Sequence, residues 1–170
     1  MTITVGLDYN NPLNLRQVPP PVGPWFGSIG KGHVNGQAVF PAGEGGLIAC
    51  FCCACRNLYR LQHLPLSGNR AETLAAIAAV YAPTSDPNAH NEPAVYAHFL
   101  SGKLGVSVSA PIWFFRKDGS ILDLDKLRTV FRAQCEFENF AGYQPIPSCL
   151  DSGIALYLRR LGQGTYVLAP

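Results

Sequence analysis

At 170 residues the chain is most simply one domain, and 48% hydrophobic content is enough for a sizeable core. Only 14% is charged and the net charge is +2, which does not suggest a nucleic-acid binder with its clustered Lys and Arg and is compatible with an anionic polymer such as a cell wall. No apolar run reaches the roughly 18 residues of a membrane-spanning helix, and Met1 to Gly6 lacks the basic and apolar segments of a secretion signal, so neither membrane insertion nor a signal peptide is expected.

The first element is a polar loop, Asn10-Asn11-Pro12-Leu13-Asn14-Leu15-Arg16. Asn tolerates left-handed backbone angles and bonds to neighbouring backbone groups, and proline removes a donor. The amides offer paired donors and acceptors that suit a ligand rich in hydroxyl and acetamido groups. The plain alternative is an ordinary surface turn. Pro19-Pro20-Pro21, Pro24, Gly27, Gly30, Gly32 and Gly36 rule out a long helix before residue 42, and Gln37 to Phe40 has short strand character.

Helical spacing of Leu47, Ile48, Phe51, Ala54, Cys55, Leu58, Tyr59 and Gln62 predicts a helix from Gly43 to His63, with Glu44 in its first turn. A second helix is expected over 69–81, capped by Asn69 and stopped by Pro83. A third covers Pro93 to Leu104, with Gly105 just past its end. Ile112 to Arg116 reads as extended and Lys117 to Ser120 as a turn. Helices over 123–139 and 149–161 follow. The expected class is mainly α, with a loop- and β-rich lobe over 1–42 and a helical lobe over 43–162.

Six cysteines stand at 50, 52, 53, 55, 135 and 149. The first four have no second ligand pair at zinc spacing, so they read as small apolar packing residues in a reducing compartment, with Cys135–Cys149 the candidate bridge. His33, His63, His90 and His98 lack the His-Glu-x-x-His spacing, so no metal or cofactor is expected. There is no Gly-x-Ser-x-Gly elbow, and the glycines at 27, 30, 32 and 36 follow no clear buried strand. A Cys–His nucleophile pair stays open, although the cysteines lie on a face that reads as core.

The helix over 123–139 carries the strongest chemical signal. Leu124, Leu127, Phe131 and Cys135 form its apolar stripe, and the next step of that stripe is Glu138. Glu136 points the opposite way. Apolar surroundings and the negative end of the helix dipole both disfavour a carboxylate there, so the Glu138 pKa should rise. A glutamic acid held protonated near neutral pH is what glycosidic bond cleavage needs as general acid. The alternative is a frayed helix end with Glu138 in water. Tyr143 and Gln144, in the following turn, can contact a sugar or cap the core. Core packing is the ordinary role for Tyr81 and Tyr96.

The loop at 10–16 resembles the NNPGNIR-type opening of a family of small bacteriophage virion proteins related to peptidoglycan-degrading enzymes. Pro24-Trp25-Phe26-Gly27, then Phe40-Pro41 with Glu44, are similar to the motifs that follow in that family. So are Ile77 to Pro83, Asn91 to Ala97, and Leu104-Gly105-Val106. Glu138-Asn139 and Tyr143 match its Glu-Asn segment; Tyr81 stands where the family has Trp, and Phe140 where it has Gly. The order of the first motifs also resembles the lysozyme-like glucosaminidases and lytic transglycosylases, in which the acid helix precedes the Asn loop. The resemblance therefore implies a lysozyme-like α+β fold, circularly permuted so that the catalytic Glu helix lies near the C-terminus.

On that resemblance the chain is expected to be a single muralytic domain over 1–170. It would be an endolysin-type hydrolase or lytic transglycosylase cleaving the β-1,4 MurNAc-GlcNAc bond of bacterial peptidoglycan. Glu138 would protonate the leaving oxygen. Asn11, Asn14, Tyr81, Tyr96, Tyr143 and Gln144 would line the sugar cleft. A hydrolase needs a second carboxylate about 5–9 Å away, for which only Asp8 and Asp151 offer themselves, Asp151 being more simply a helix N-terminal residue; a one-acid site favours a transglycosylase-like route assisted by the substrate's own acetamido group or 6-hydroxyl. A monomer is expected, held in the host cytoplasm before lysis and acting at the wall, or carried in the virion. The other reading of the same motifs is a non-enzymatic virion structural or peptidoglycan-binding protein.

Overall fold

The computed structural model describes residues 7, 9–17, 24–32, 36–65, 69–84 and 92–165. Pro19-Pro20-Pro21 and Asp8 lie outside the described residues. Two strands of two residues each, β1 (Gly30–Lys31) and β2 (Ala38–Val39), pair antiparallel, with Gly30 opposite Val39 and Lys31 opposite Ala38. Five helices follow them among the described residues: α1 (Glu44–His63), α2 (Leu74–Tyr81), α3 (Pro93–Leu104), α4 (Leu124–Glu138) and α5 (Pro147–Gly162).

This corrects the lysozyme-like α+β expectation. The described residues are almost all helix or loop, and their one sheet is a short, unclosed pair of strands. A strand of two residues buries too little surface to found a sheet layer, and the short pair lies within the loop-rich segment expected before residue 42. The circular permutation falls with that fold. The endolysin, muramidase, lytic transglycosylase and cell-lysis readings lose the lysozyme-like fold that would have carried them.

By contact, the chain divides into two units, Met1–Asn57 with Gln134–Tyr166, and Leu58–Ala133 with Val167–Pro170. In the first, Leu13, Leu15, Trp25, Phe40, Phe51, Leu150 and Tyr157 are buried together with the cysteines. Helices α1 and α5 approach closely here because position 153 is glycine: a methyl at Gly153 would run into Cβ of Phe51 and lie 2.9 Å from the carbonyl oxygen of Ile48. All six cysteines are free and buried, so Cys135 and Cys149 form no bridge.

In the second unit, Leu74, Ile77, Tyr96, Leu100, Phe114, Leu127 and Phe131 form the core. Helix α2 starts at Leu74 rather than near Asn69, because Thr73 is the cap and accepts a hydrogen bond from the Ala76 N–H. Helix α3 runs from Pro93 in its first turn to Gly105, whose φ of 67° closes it in the left-handed region. Gln62 is fully buried and ties α1 to the extended segment after α3, donating to the Ile112 carbonyl (2.8 Å) and accepting from the Phe114 N–H (3.1 Å). On α4 the buried stripe is Leu127, Phe131 and Cys135; Leu124, the first helical residue, is exposed.

Candidate functional site

The Asn-rich loop folds as it does because two of its asparagines take left-handed angles, with φ of 50° at Asn10 and 49° at Asn14. Asn10 donates from Nδ2 to the carbonyls of Pro41 (2.6 Å) and Gly43 (2.9 Å), tying the loop to the start of α1. Asn11 is fully buried. Its Nδ2 donates to the carbonyls of Leu15 and Ala38, both at 2.9 Å, while Oδ1 accepts from the Leu15 N–H at 2.9 Å and the Cys50 thiol at 3.5 Å. Trp25 closes the far end, donating from Nε1 to the Arg16 carbonyl at 2.7 Å.

The end of α4 meets this loop with two adjacent side chains. Asn14 donates from Nδ2 to Oε2 of Glu138 at 2.7 Å. Asn139 donates to the Pro12 carbonyl at 2.8 Å and back to the Cys135 carbonyl at 2.6 Å. The Oδ1 atoms of Asn14 and Asn139 are buried without a hydrogen-bond partner among the described residues.

Burial pushes the Glu138 carboxyl above its ordinary pKa; the Asn14 bond and the Arg16 charge pull it back but do not outweigh the loss of solvent. Cys135, one turn earlier, is pushed up by its own burial and then by the Glu138 charge. Tyr143 is half-buried and pushed up by burial, then by Cys135 and Cys50. No family model matches this chain, and no curated protein matches it.

The structure thus brings Glu138, Asn11, Asn14 and Tyr143 into the same unit. Gln144 is exposed in the turn after α4, where Tyr143 meets Phe140 edge-on with ring centroids 5.3 Å apart. Glu136 accepts from the Gly142 N–H at 3.1 Å and so helps to hold that turn. Tyr96 is fully buried in the core of the second unit and presents no ring surface to a ligand, and Tyr81 ends α2 half-buried in that unit. Asp151 is exposed on α5. Among the described residues, the groups that act on Glu138 are Asn14 and Arg16; Asp8 lies outside the described residues. Among the described residues no three His, Cys, Asp or Glu side chains gather to hold a metal ion.

Sequence reasoning placed Asn10 and Arg16 in the polar loop and Asn139 in the Glu-Asn segment, but did not give them a part in holding the loop or Glu138. A polar residue just past a helix end ordinarily reads as surface. The available signal for Asn139 was its place directly after an inward-facing residue, which leaves it near the same interior.

Proposed function

We propose that this chain is a non-enzymatic structural protein of the virion kind. The observation that carries the reading is the way the loop's amides are used. Asn10, Asn11 and Asn139 are engaged with backbone carbonyls of the protein itself, and the Asn14 amide with Glu138. These groups build a rigid joint between the N-terminal loop, α1 and α4, in place of the open row of donors a sugar cleft requires. The resemblance of the motifs to virion proteins, and the exposed side chains of Phe137, Phe140 and Ile146 beside the joint, support a role in protein contact.

Peptidoglycan binding is the second reading, favoured by one observation: Phe140, Tyr143 and Gln144 present aromatic rings and an amide at the turn next to Glu138. Co-sedimentation with purified sacculi, run beside a zymogram, separates the two. A structural protein leaves the sacculi uncleared and stays in the supernatant. Sedimentation without clearing, lost in Phe140→Ala/Tyr143→Ala, moves the assignment to wall binding. Clearing by wild type that is lost in Glu138→Gln overturns the non-enzymatic reading.

A further inference from the structure

The joint between the N-terminal loop and α4 has a one-sided chemistry. The Oδ1 atoms of Asn14 and Asn139 are both buried and bonded to no group among the described residues, and Asn139 as a whole is only 6% exposed. Beside them stands the Glu138 carboxyl, which takes the Asn14 amide on Oε2 and leaves Oε1 as a further acceptor. The groups left over at this joint are all oxygen acceptors. From two orphaned amide oxygens gathered at one carboxyl, we infer that the joint binds a hard cation of calcium size.

Covalent geometry keeps these oxygens within one ion's reach. The oxygen and nitrogen of a side-chain amide are roughly 2.3 Å apart. Asn14 Nδ2 is 2.7 Å from Glu138 Oε2, so Asn14 Oδ1 lies within about 5 Å of that carboxyl. Asn139 follows Glu138 directly, and its Nδ2 is 2.8 Å from the carbonyl of Pro12, two residues before Asn14. Its Oδ1 therefore lies within about 5 Å of that carbonyl. Calcium holds its oxygens at roughly 2.3–2.6 Å, so two of its ligands stand up to about 5 Å apart. The frame around them is fixed by other bonds, from Asn10 and Asn11 in the loop and from Asn139 to the Cys135 carbonyl on α4.

Size, hardness and charge select the ligand. The two amide oxygens expose almost no surface, so a sugar cannot seat its hydroxyls on them and a single-atom ion can. Amide and carboxyl oxygens are the ligands of hard cations. The nearest soft ligand is Cys135, whose thiol is kept protonated by burial, which disfavours zinc or copper here. Magnesium demands near-ideal octahedral geometry, whereas calcium accepts the irregular set that a loop and a helix end provide. The ion adds positive charge at contact distance from Glu138; Arg16, the other charged group that acts on this carboxyl, does so from an exposed position and less than the Asn14 bond does. The absence of metal spacing among His and Cys in the sequence does not bear on a site made of amides.

The inference is independent of the structural role proposed above. Titration calorimetry and thermal melts of the full chain, stripped with a chelator and then dialysed, test it with calcium, magnesium and sodium chloride at equal ionic strength. Calcium is expected to bind and to raise the melting temperature, magnesium to bind more weakly, and sodium to do neither. In weakly buffered solution on the acid side of neutrality, calcium should release protons, because burial holds Glu138 toward its protonated form and the ion takes the carboxylate. Glu138→Gln should weaken calcium binding by at least about tenfold and abolish the proton release. If that variant unfolds, Asn14→Gly keeps the left-handed backbone, removes one ligand and should show the same loss of affinity. Absence of calcium binding, an unchanged affinity in the folded variant, or magnesium binding as tightly as calcium overturns the proposal and leaves the two amide oxygens to a buried water.

Discussion

Asn14 and Glu138, 124 residues apart in sequence, are joined by a hydrogen bond of 2.7 Å between the Asn amide nitrogen and Oε2 of the acid. The bond places a titratable group inside a joint made otherwise of amides and carbonyls. Its protonation state therefore bears on how firmly α4 holds the loop.

The sign of that dependence follows from burial. Glu138 has a pKa above its ordinary value of 4.5 in the folded protein, so the native state holds its proton more tightly than the unfolded state. Its contribution to stability is full below the unfolded pKa and is lost as pH rises through the folded one. Glu138→Gln keeps an oxygen for the Asn14 amide and removes the titration. Thermal melts from acid to neutral pH should show the variant matching wild type at low pH and exceeding it above the folded pKa. Parallel curves would show that Glu138 does not carry this dependence.

Asn11 is the second test of the joint. Replacing it with Ala leaves the carbonyls of Leu15 and Ala38 and the N–H of Leu15 without their partner in a fully buried place. Urea unfolding should show a loss of about 2–4 kcal/mol. Asn11→Asp should be at least as costly, since it keeps the shape but turns both donors into acceptors facing carbonyls. A loss well under about 1 kcal/mol in both variants would mean that the loop is held elsewhere.

How much of this was legible in the sequence differs from residue to residue. Pro93 and Gly105 mark the ends of α3 because the geometry of a first turn and of a left-handed cap is local. The inward aim of Glu138 is readable from the stripe of Leu127, Phe131 and Cys135, since helical spacing fixes the face. The use of the amides was not readable. Asn10 and Asn11 show their donors in the sequence, but the carbonyls of Pro41, Gly43 and Ala38 reach them only through folding. The fold class misled for a related reason. Short motifs describe loops and helix starts, and nothing in them fixes how much sheet lies between.

The cysteines give a chemical prediction. Burial holds the thiols of Cys50, Cys53, Cys55 and Cys135 well above the ordinary range, and all six cysteines are buried and free. Thiolate is the reactive form, so the native protein should react slowly with a disulfide reagent at mildly alkaline pH. All six should be titrated once urea unfolds the chain. A fast native reaction at any of the four shifted positions would contradict the packing of α1 or α4 around it.

Two glycine substitutions should move stability in opposite directions. At Gly153 on α5 an added methyl meets Cβ of Phe51 and stands 2.9 Å from the Ile48 oxygen and 3.2 Å from the Cys52 nitrogen, so α1 and α5 must separate. Backbone atoms cannot yield as a flexible side chain can, and Gly153→Ala should lower stability by about 1–3 kcal/mol. At Gly102 on α3 an added methyl has no atom within 4 Å, and the helix gains from a residue with less freedom to lose. Gly102→Ala should therefore raise stability by about 0.5–1 kcal/mol. The urea midpoints of the two variants, read at an unchanged slope, test the helix contact directly. A Gly153→Ala protein as stable as wild type would mean that α1 and α5 do not meet at this glycine.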